Sequence, residues 1–68
     1  MTELENLARN IKSIRLELEE SQMEFAFNCG ISTETVSLLE RMKANPSLET
    51  LQKIAAYTGH TVSELLEI

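Results

Sequence analysis

The spacing of small and aliphatic residues between positions 22 and 39 constrains the fold of this chain more than any other feature. Ala26 is small enough to let a second helix pass close over the first. Gly30 can take the positive φ that a tight turn between helices often requires. Val36 and Leu39 lie three residues apart, so they share one face of the following helix and can fill the crossing. The segment therefore predicts two short helices that cross steeply.

Two short helices joined in this way form a helix-turn-helix, the unit that places its second helix in the major groove of DNA. DNA binding is therefore the first functional hypothesis. The net charge opposes it, because the 68 residues carry 6 Lys and Arg against 11 Asp and Glu, a formal charge of −5. The acidic residues are concentrated elsewhere, however. Residues 21–47 hold two basic and three acidic side chains, a net charge of −1.

Helix-capping residues divide the rest of the chain into short helices. A Ser or Thr side chain accepts a hydrogen bond from the first turn of a helix, and a Glu three residues later can return one. No segment alternates apolar and polar residues over a strand length, so the sequence predicts an all-α fold of five helices. The predicted N-caps are Thr2, Ser21, Ser32, Ser47 and Thr61, and capping boxes are predicted with Glu5, Glu24 and Glu64.

The same pattern predicts where the helices end and which face of the first one is buried. Helix two ends near Cys29, helix three near Arg41 and helix four at Gly59, and helix five runs from Val62 to Glu67. The buried face of helix one is predicted to be Leu4, Leu7, Ile11, Ile14 and Leu18.

Length and composition exclude several classes of protein. Residues 1–68 suffice for a single domain. One cysteine, Cys29, cannot form an internal disulfide, and with one histidine, His60, it cannot complete a structural zinc site, so no metal or cofactor is expected. No apolar run approaches the roughly 20 residues that span a bilayer, and no secretory signal is present, so we expect a soluble cytoplasmic protein without a membrane partner. An enzyme is not expected, because no motif gives His60 a nucleophile or a carboxylate partner.

Two stretches, SQMEFAFNCGISTETVSLLER and NPSLETLQKIAAYTGHTVSELL, together resemble the Cro/repressor-type (XRE-like) helix-turn-helix regulators of bacteria and phages. The resemblance runs from about Leu7 to Leu66. It implies a compact five-helix, lambda-repressor-like DNA-binding domain, in which helices two and three form the helix-turn-helix. In such proteins helix three, here about residues 33–41, lies in the major groove.

The resemblance also implies which side chains contact bases. The matching positions are Thr33, Glu34, Ser37 and Leu38. Thr33 and Ser37 can bond to several bases, Glu34 can accept from a cytosine amino group, and Leu38 can contact only a thymine methyl. Glu34 could instead only complement the helix dipole, and Leu38 could belong to a surface that contacts another protein. Most relatives have Arg, Gln or Lys here.

Phosphate contacts and one ion pair follow from the same resemblance. Gln22, at the start of helix two, matches a residue whose side chain and backbone N–H bind a phosphate. Arg15 and Glu40 match an ion pair between helices one and three, which would fix how helix three is presented. The phosphate contacts expected after helix three are Arg41, Lys43 and Asn45, although Lys43 could be only a solvated loop residue.

Three departures from the family pattern carry expectations of their own. Met42 replaces a usual glycine, so either it takes a strained positive φ or the loop follows another path. Glu19 and Glu20 replace a Gly-Leu pair, for which Leu18 could supply the missing apolar contact. Phe27 lies on a usually polar face, where it packs on helix one or the chain start, or a protein partner covers it.

The leading hypothesis is a sequence-specific, repressor-like transcriptional regulator that binds double-stranded DNA as a homodimer. An inverted repeat with half-sites about 10–11 bp apart is expected, because one such domain buries little surface on DNA. The alternative is a protein-interaction module on the same fold, with weak or lost DNA binding. The near-neutral binding segment, Glu34, Leu38 and Phe27 motivate this alternative.

Overall fold

The computed structural model describes residues 2–67, which form five α-helices and no strand. The predicted all-α class is confirmed, as are all five N-caps, because each predicted Ser or Thr side chain accepts from the backbone N–H three residues later. The helices are α1 (Glu3–Glu17), α2 (Gln22–Cys29), α3 (Thr33–Glu40), α4 (Leu48–Thr58) and α5 (Val62–Leu65).

Three of the helix starts are the predicted capping boxes. The carboxylates of Glu5, Glu24 and Glu64 accept from the backbone N–H groups of Thr2, Ser21 and Thr61, at 3.0, 2.8 and 2.7 Å. These backbone hydrogen bonds hold the pKa of each glutamate below its usual value. The caps are local in sequence, which is why the pattern alone could place the helix starts.

A single apolar core joins all five helices. Ala26 and Val36 are both buried where α2 and α3 cross, as their spacing predicts. Phe25, also fully buried, packs edge-to-face on Tyr57 of α4 with ring centroids 5.8 Å apart. Burying one large apolar side chain contributes roughly 1.5–3 kcal/mol, so a domain of this size depends on each of them. The buried core residues are Leu7, Ile11, Phe25, Ala26, Cys29, Val36, Leu39, Leu51, Ile54 and Leu65.

One predicted core position and one predicted helix boundary are wrong. Leu18 is 46% exposed, because α1 ends at Glu17 and the chain turns away before Leu18 can reach the core. Helix α5 ends at Leu65 rather than Glu67. The side-chain amides of two α1 residues, Asn6 and Asn10, donate to the carbonyls of Leu66, Leu65 and Glu67. These bonds satisfy carbonyls at and after the end of α5 and hold this segment against α1.

Left-handed residues end the first three helices. Gly30 has φ 81°, as predicted, and Met42 has φ 57°, so the strained alternative holds at the position where relatives have glycine. Glu19 also has φ 57°. After each of these three residues, the next backbone N–H donates to a carbonyl of the preceding helix. One example is the donation from the Lys43 N–H to the Leu38 carbonyl at 2.8 Å. A side chain in this conformation costs roughly 1–2 kcal/mol.

Candidate nucleic-acid interface

Helix α3 presents a polar first turn to solvent while its opposite side is anchored in the core. Val36 and Leu39 are buried, and they fix how far the helix stands out from the domain. The four positions predicted to contact bases, Thr33, Glu34, Ser37 and Leu38, lie one turn apart in two pairs and therefore form one continuous surface. Thr33 and Glu34 are exposed, and Ser37 and Leu38 are half-buried.

The end of α3 is fixed to α1 by a two-pronged ion pair. Arg15 Nε lies 2.7 Å from Glu40 Oε2, and Arg15 Nη2 donates to Glu40 Oε1 at 3.0 Å. The two side chains are only 12% and 6% exposed. The hydrogen bonds to Glu40 raise the pKa of Arg15 above its usual value, so Arg15 stays charged. A third donation, from Nη1 to the Glu20 carbonyl at 2.9 Å, extends the link to the turn before α2.

Gln22 shares the same carboxylate. Its amide Nε2 donates to Glu40 Oε1 at 3.2 Å, so this side chain is held against α3. An amide nitrogen carries two hydrogens, and the second is free to donate outward. The backbone N–H of Gln22 is in the first turn of α2, where a helix offers no internal acceptor. The start of α2 and the end of α3 are thus brought together through Glu40.

The residues after α3 lie on the surface. Arg41, Lys43 and Asn45 are all exposed. Arg41 Nε reaches back to the Ser37 carbonyl at 3.4 Å, which places the guanidinium beside the outward side of α3. The turn at Met42 directs Lys43 and Asn45 into a shallow surface cavity that also contains Leu4. All three predicted phosphate contacts of this segment are therefore solvent-accessible.

Comparison with known proteins decides the family. The helix-turn-helix family profile matches residues 11–65 of the chain. The chain belongs to the helix-turn-helix family. The resemblance to the XRE-type regulators is therefore confirmed.

Two relatives within this family are named as regulators. The HTH-type transcriptional regulator DdrOP3 of Deinococcus deserti is 41% identical over 61 residues, which cover 90% of this chain and 47% of that protein. The immunity repressor protein of Bacillus phage phi105 is 33% identical over 60 residues, covering 88% of this chain and 42% of the repressor. The chain thus spans about half the length of the curated relatives it matches.

Solved structures of regulators have the same architecture. The hypothetical transcription factor NHTF from Neisseria superposes with a TM-score of 0.86 at 35% identity, over 93% of this chain and 71% of that one. The restriction-modification controller protein C.AhdI from Aeromonas hydrophila gives 0.82 at 27% identity, over 91% and 94%. The five-helix helix-turn-helix architecture expected from the sequence is confirmed.

Sequence reasoning missed a polar cluster that ties the helix-turn-helix to α4. Glu20 Oε2 accepts from Tyr57 Oη at 2.5 Å and from Asn28 Nδ2 at 2.8 Å. The bond to Glu20 raises the pKa of Tyr57. Glu20 thereby takes the place that Leu18 was expected to fill, through hydrogen bonds rather than apolar contact. No local signal connects residues 37 positions apart, so the pattern could not predict this cluster.

Two cations of α1, Arg9 and Lys12, lie beside the segment that follows α3, which the sequence did not lead us to expect. Both line a cavity with Glu40 and Met42. Their spacing of three residues was a usable signal, since it puts them on one face of α1, opposite the buried Leu7 and Ile11.

Phe27 and Cys29 occupy opposite sides of α2. Phe27 is 83% exposed, so the expectation that it packs on helix one or the chain start is wrong. Cys29 is buried, and this burial, with the charge of Glu20, raises the pKa of its thiol to about 11. Within residues 2–67 no helix is both long and apolar enough to cross a membrane. No three His, Cys, Asp or Glu side chains of this part of the chain could hold a metal ion.

Proposed function

We propose that residues 1–68 are the DNA-binding domain of a sequence-specific transcriptional regulator of the repressor type. The observation that carries the proposal is the exposed polar start of α3, held outward by the buried Val36 and Leu39 and by the Arg15–Glu40 pair. A rigid helix with a free polar face can enter the major groove, where bases present distinct donors and acceptors.

In this proposal the side chains divide between base and phosphate contacts. The base contacts are Thr33, Glu34, Ser37 and Leu38, and the phosphate contacts are Gln22, Arg41, Lys43 and Asn45. Gln22 is suited to its role because Glu40 holds one amide hydrogen while the other can donate to a phosphate. Arg15 and Glu40 contribute by positioning α3.

We propose further that the protein acts in the cytoplasm as a homodimer on an inverted repeat, without catalytic activity. The relatives are named as regulators and repressors, which supports DNA binding and does not favour the alternative of a protein-interaction module. The exposed Phe27 stays available to a protein partner of such a regulator.

Selection from random duplexes tests the proposal directly. The wild-type chain should enrich one sequence. Thr33→Ala should relax the preference at one base step, because a base contact specifies sequence, whereas Gln22→Ala should weaken binding to all sequences alike. The control Gln52→Ala removes an exposed glutamine of α4 and should change neither property. If Thr33→Ala and Gln22→Ala both behave as wild type, the proposed docking of α3 is wrong.

A further inference from the structure

The cations of this acidic chain are not evenly paired. Arg15 and Lys53 lie within 4.0 Å of a glutamate, Glu40 and Glu49 respectively. Among residues 2–67 no carboxylate lies within that distance of the other four cationic side chains. Four exposed cations therefore remain available to an anion outside the chain. They are Arg9, Lys12, Arg41 and Lys43.

Three of these side chains line two cavities that share Met42. Arg9 and Lys12 line a cavity of about 210 Å³ together with Met42, Glu5 and Glu40. Met42 also lines the neighbouring cavity that contains Lys43. Arg41 precedes Met42 in the chain, but its Nε bonds back to the Ser37 carbonyl. The turn at Met42 therefore brings one cation of the loop near two cations of α1. We call Arg9, Lys12 and Lys43 the Met42 basic cluster.

The acidic groups near the cluster are already occupied. Glu40 accepts from both Arg15 and Gln22, and the Glu5 carboxylate accepts from the backbone N–H of Thr2. Arg9 lies close enough to Glu5 to help lower its pKa, but not close enough to form an ion pair. Arg9 and Lys12, three residues apart on α1, therefore repel each other, and a bound anion would relieve this repulsion.

The position of the cluster, near two proposed phosphate contacts, indicates that the anion is a DNA phosphate. Glu40, which lines the same cavity as Lys12, holds the amide of Gln22, a proposed phosphate contact at the start of α2. Asn45, another proposed phosphate contact, lines the cavity on the far side of Met42. The exposed cations of α1 thus share one cavity with Glu40, which holds Gln22, and with Met42, which lines the cavity of Asn45.

We propose that Arg9 and Lys12 bind phosphates of the DNA backbone, so that α1 extends the contact made by α2, α3 and the loop after α3. The inference rests on the proposed function. It explains how a chain of net charge −5 binds DNA, because Arg9 and Lys12 add two unpaired cations beside the loop after α3. These contacts carry no sequence information, since they reach phosphates rather than base edges.

The test is the salt dependence of binding to the duplex enriched by selection, measured by fluorescence anisotropy from about 50 to about 200 mM KCl. The variants are Lys12→Gln, Arg9→Gln and the double variant. Each lost phosphate contact should lower the slope of log K against log salt by about 1 per chain bound, and the double variant by about 2. Base preference should stay as in wild type. Lys53→Gln is the matched control, because Lys53 is an exposed cation on α4 paired with Glu49, and its slope should not change.

Three outcomes would overturn the inference. The first is a wild-type slope in Lys12→Gln and Arg9→Gln, and the second is an equal loss of slope in Lys53→Gln. The third is weaker binding with an unchanged slope, which would mean that the cations act elsewhere, for instance on an acidic protein. Wild-type protein that binds no duplex would instead refute the proposed function, and the inference with it. A denaturation midpoint near that of wild type shows that each variant is folded.

Discussion

Glu19 and Met42 occupy backbone conformations that favour glycine. Both have φ 57°, and both end a helix in the way that Gly30 does at φ 81°. Gly59 also ends α4 with a positive φ, of 78°, so four helices end at a left-handed residue and glycine stands at only two of these positions. The cost of roughly 1–2 kcal/mol at each non-glycine residue is considerable for a domain of this size, whose net stability is only a few kcal/mol.

Replacing Glu19 with glycine should therefore stabilise the fold. Glu19 is exposed, so Glu19→Gly removes strain and little contact. We expect a gain of about 0.5–1 kcal/mol in the free energy of unfolding, after the larger entropy of an unfolded glycine is subtracted. Urea denaturation measures it. The matched control is Glu17→Gly, at the exposed last residue of α1, two residues earlier, which should lose up to about 1 kcal/mol. Equal losses in the two variants would contradict the strain argument.

Helices α1 and α3 are joined by one buried ion pair, and its removal should be costly. Glu40→Ala leaves Arg15 with an unpaired charge at 12% exposure and also frees Gln22. We expect a loss of about 3–5 kcal/mol in the free energy of unfolding, measured by chemical denaturation.

The control for this variant is the exposed pair of α4. Lys53 and Glu49 lie 3.8 Å apart at the surface, so Glu49→Ala should cost about 0–1 kcal/mol. A midpoint of Glu40→Ala that matches the midpoint of Glu49→Ala would show that the ion pair adds nothing beyond a surface contact.

The helices differ in how far their sequence determines them. The five starts could be predicted because each cap lies within three residues of the group that it binds. The end of α5 could not, because Asn6 and Asn10 hold its carbonyls from 55 or more positions away. The hydrogen bond between Tyr57 and Glu20 could not be predicted for the same reason. Local bonds are readable from spacing, whereas tertiary polar bonds are not.

The distribution of charge on the folded surface differs from the distribution counted along the sequence. Counted along the sequence, residues 21–47 have a net charge of −1 and give weak support to DNA binding. In the structure Arg9 and Lys12 line a cavity with Met42, which also lines the cavity of Lys43, so the surface next to α3 gains two cations that the count had placed in a more acidic region. The resemblance to the XRE-type regulators implies the candidate base contacts, which stay a prediction, whereas the surface beside them depends on how α1 is packed.

The size of the molecule argues for two chains on one DNA site. Residues 2–67 extend 27 × 23 × 22 Å, less than the roughly 34–36 Å between successive major grooves on one face of DNA. One chain can therefore present its α3 to one groove only. We expect two chains on the selected inverted repeat, with binding to an isolated half-site weaker by a factor on the order of 100, since the second chain then adds nothing.

The spacing between half-sites provides the decisive measurement. Inserting about 5 bp between them rotates one half-site by about half a turn, so that the two α3 helices can no longer enter both grooves from one side. Affinity should fall to that of the half-site, and native mass spectrometry should then record one chain in place of two. An insertion of about 10 bp restores the relative rotation of the half-sites but not the distance between them. It therefore shows whether binding requires the rotation, the distance or both. Full affinity for a single half-site, or indifference to the 5 bp insertion, would mean that the chain recognises DNA as a monomer.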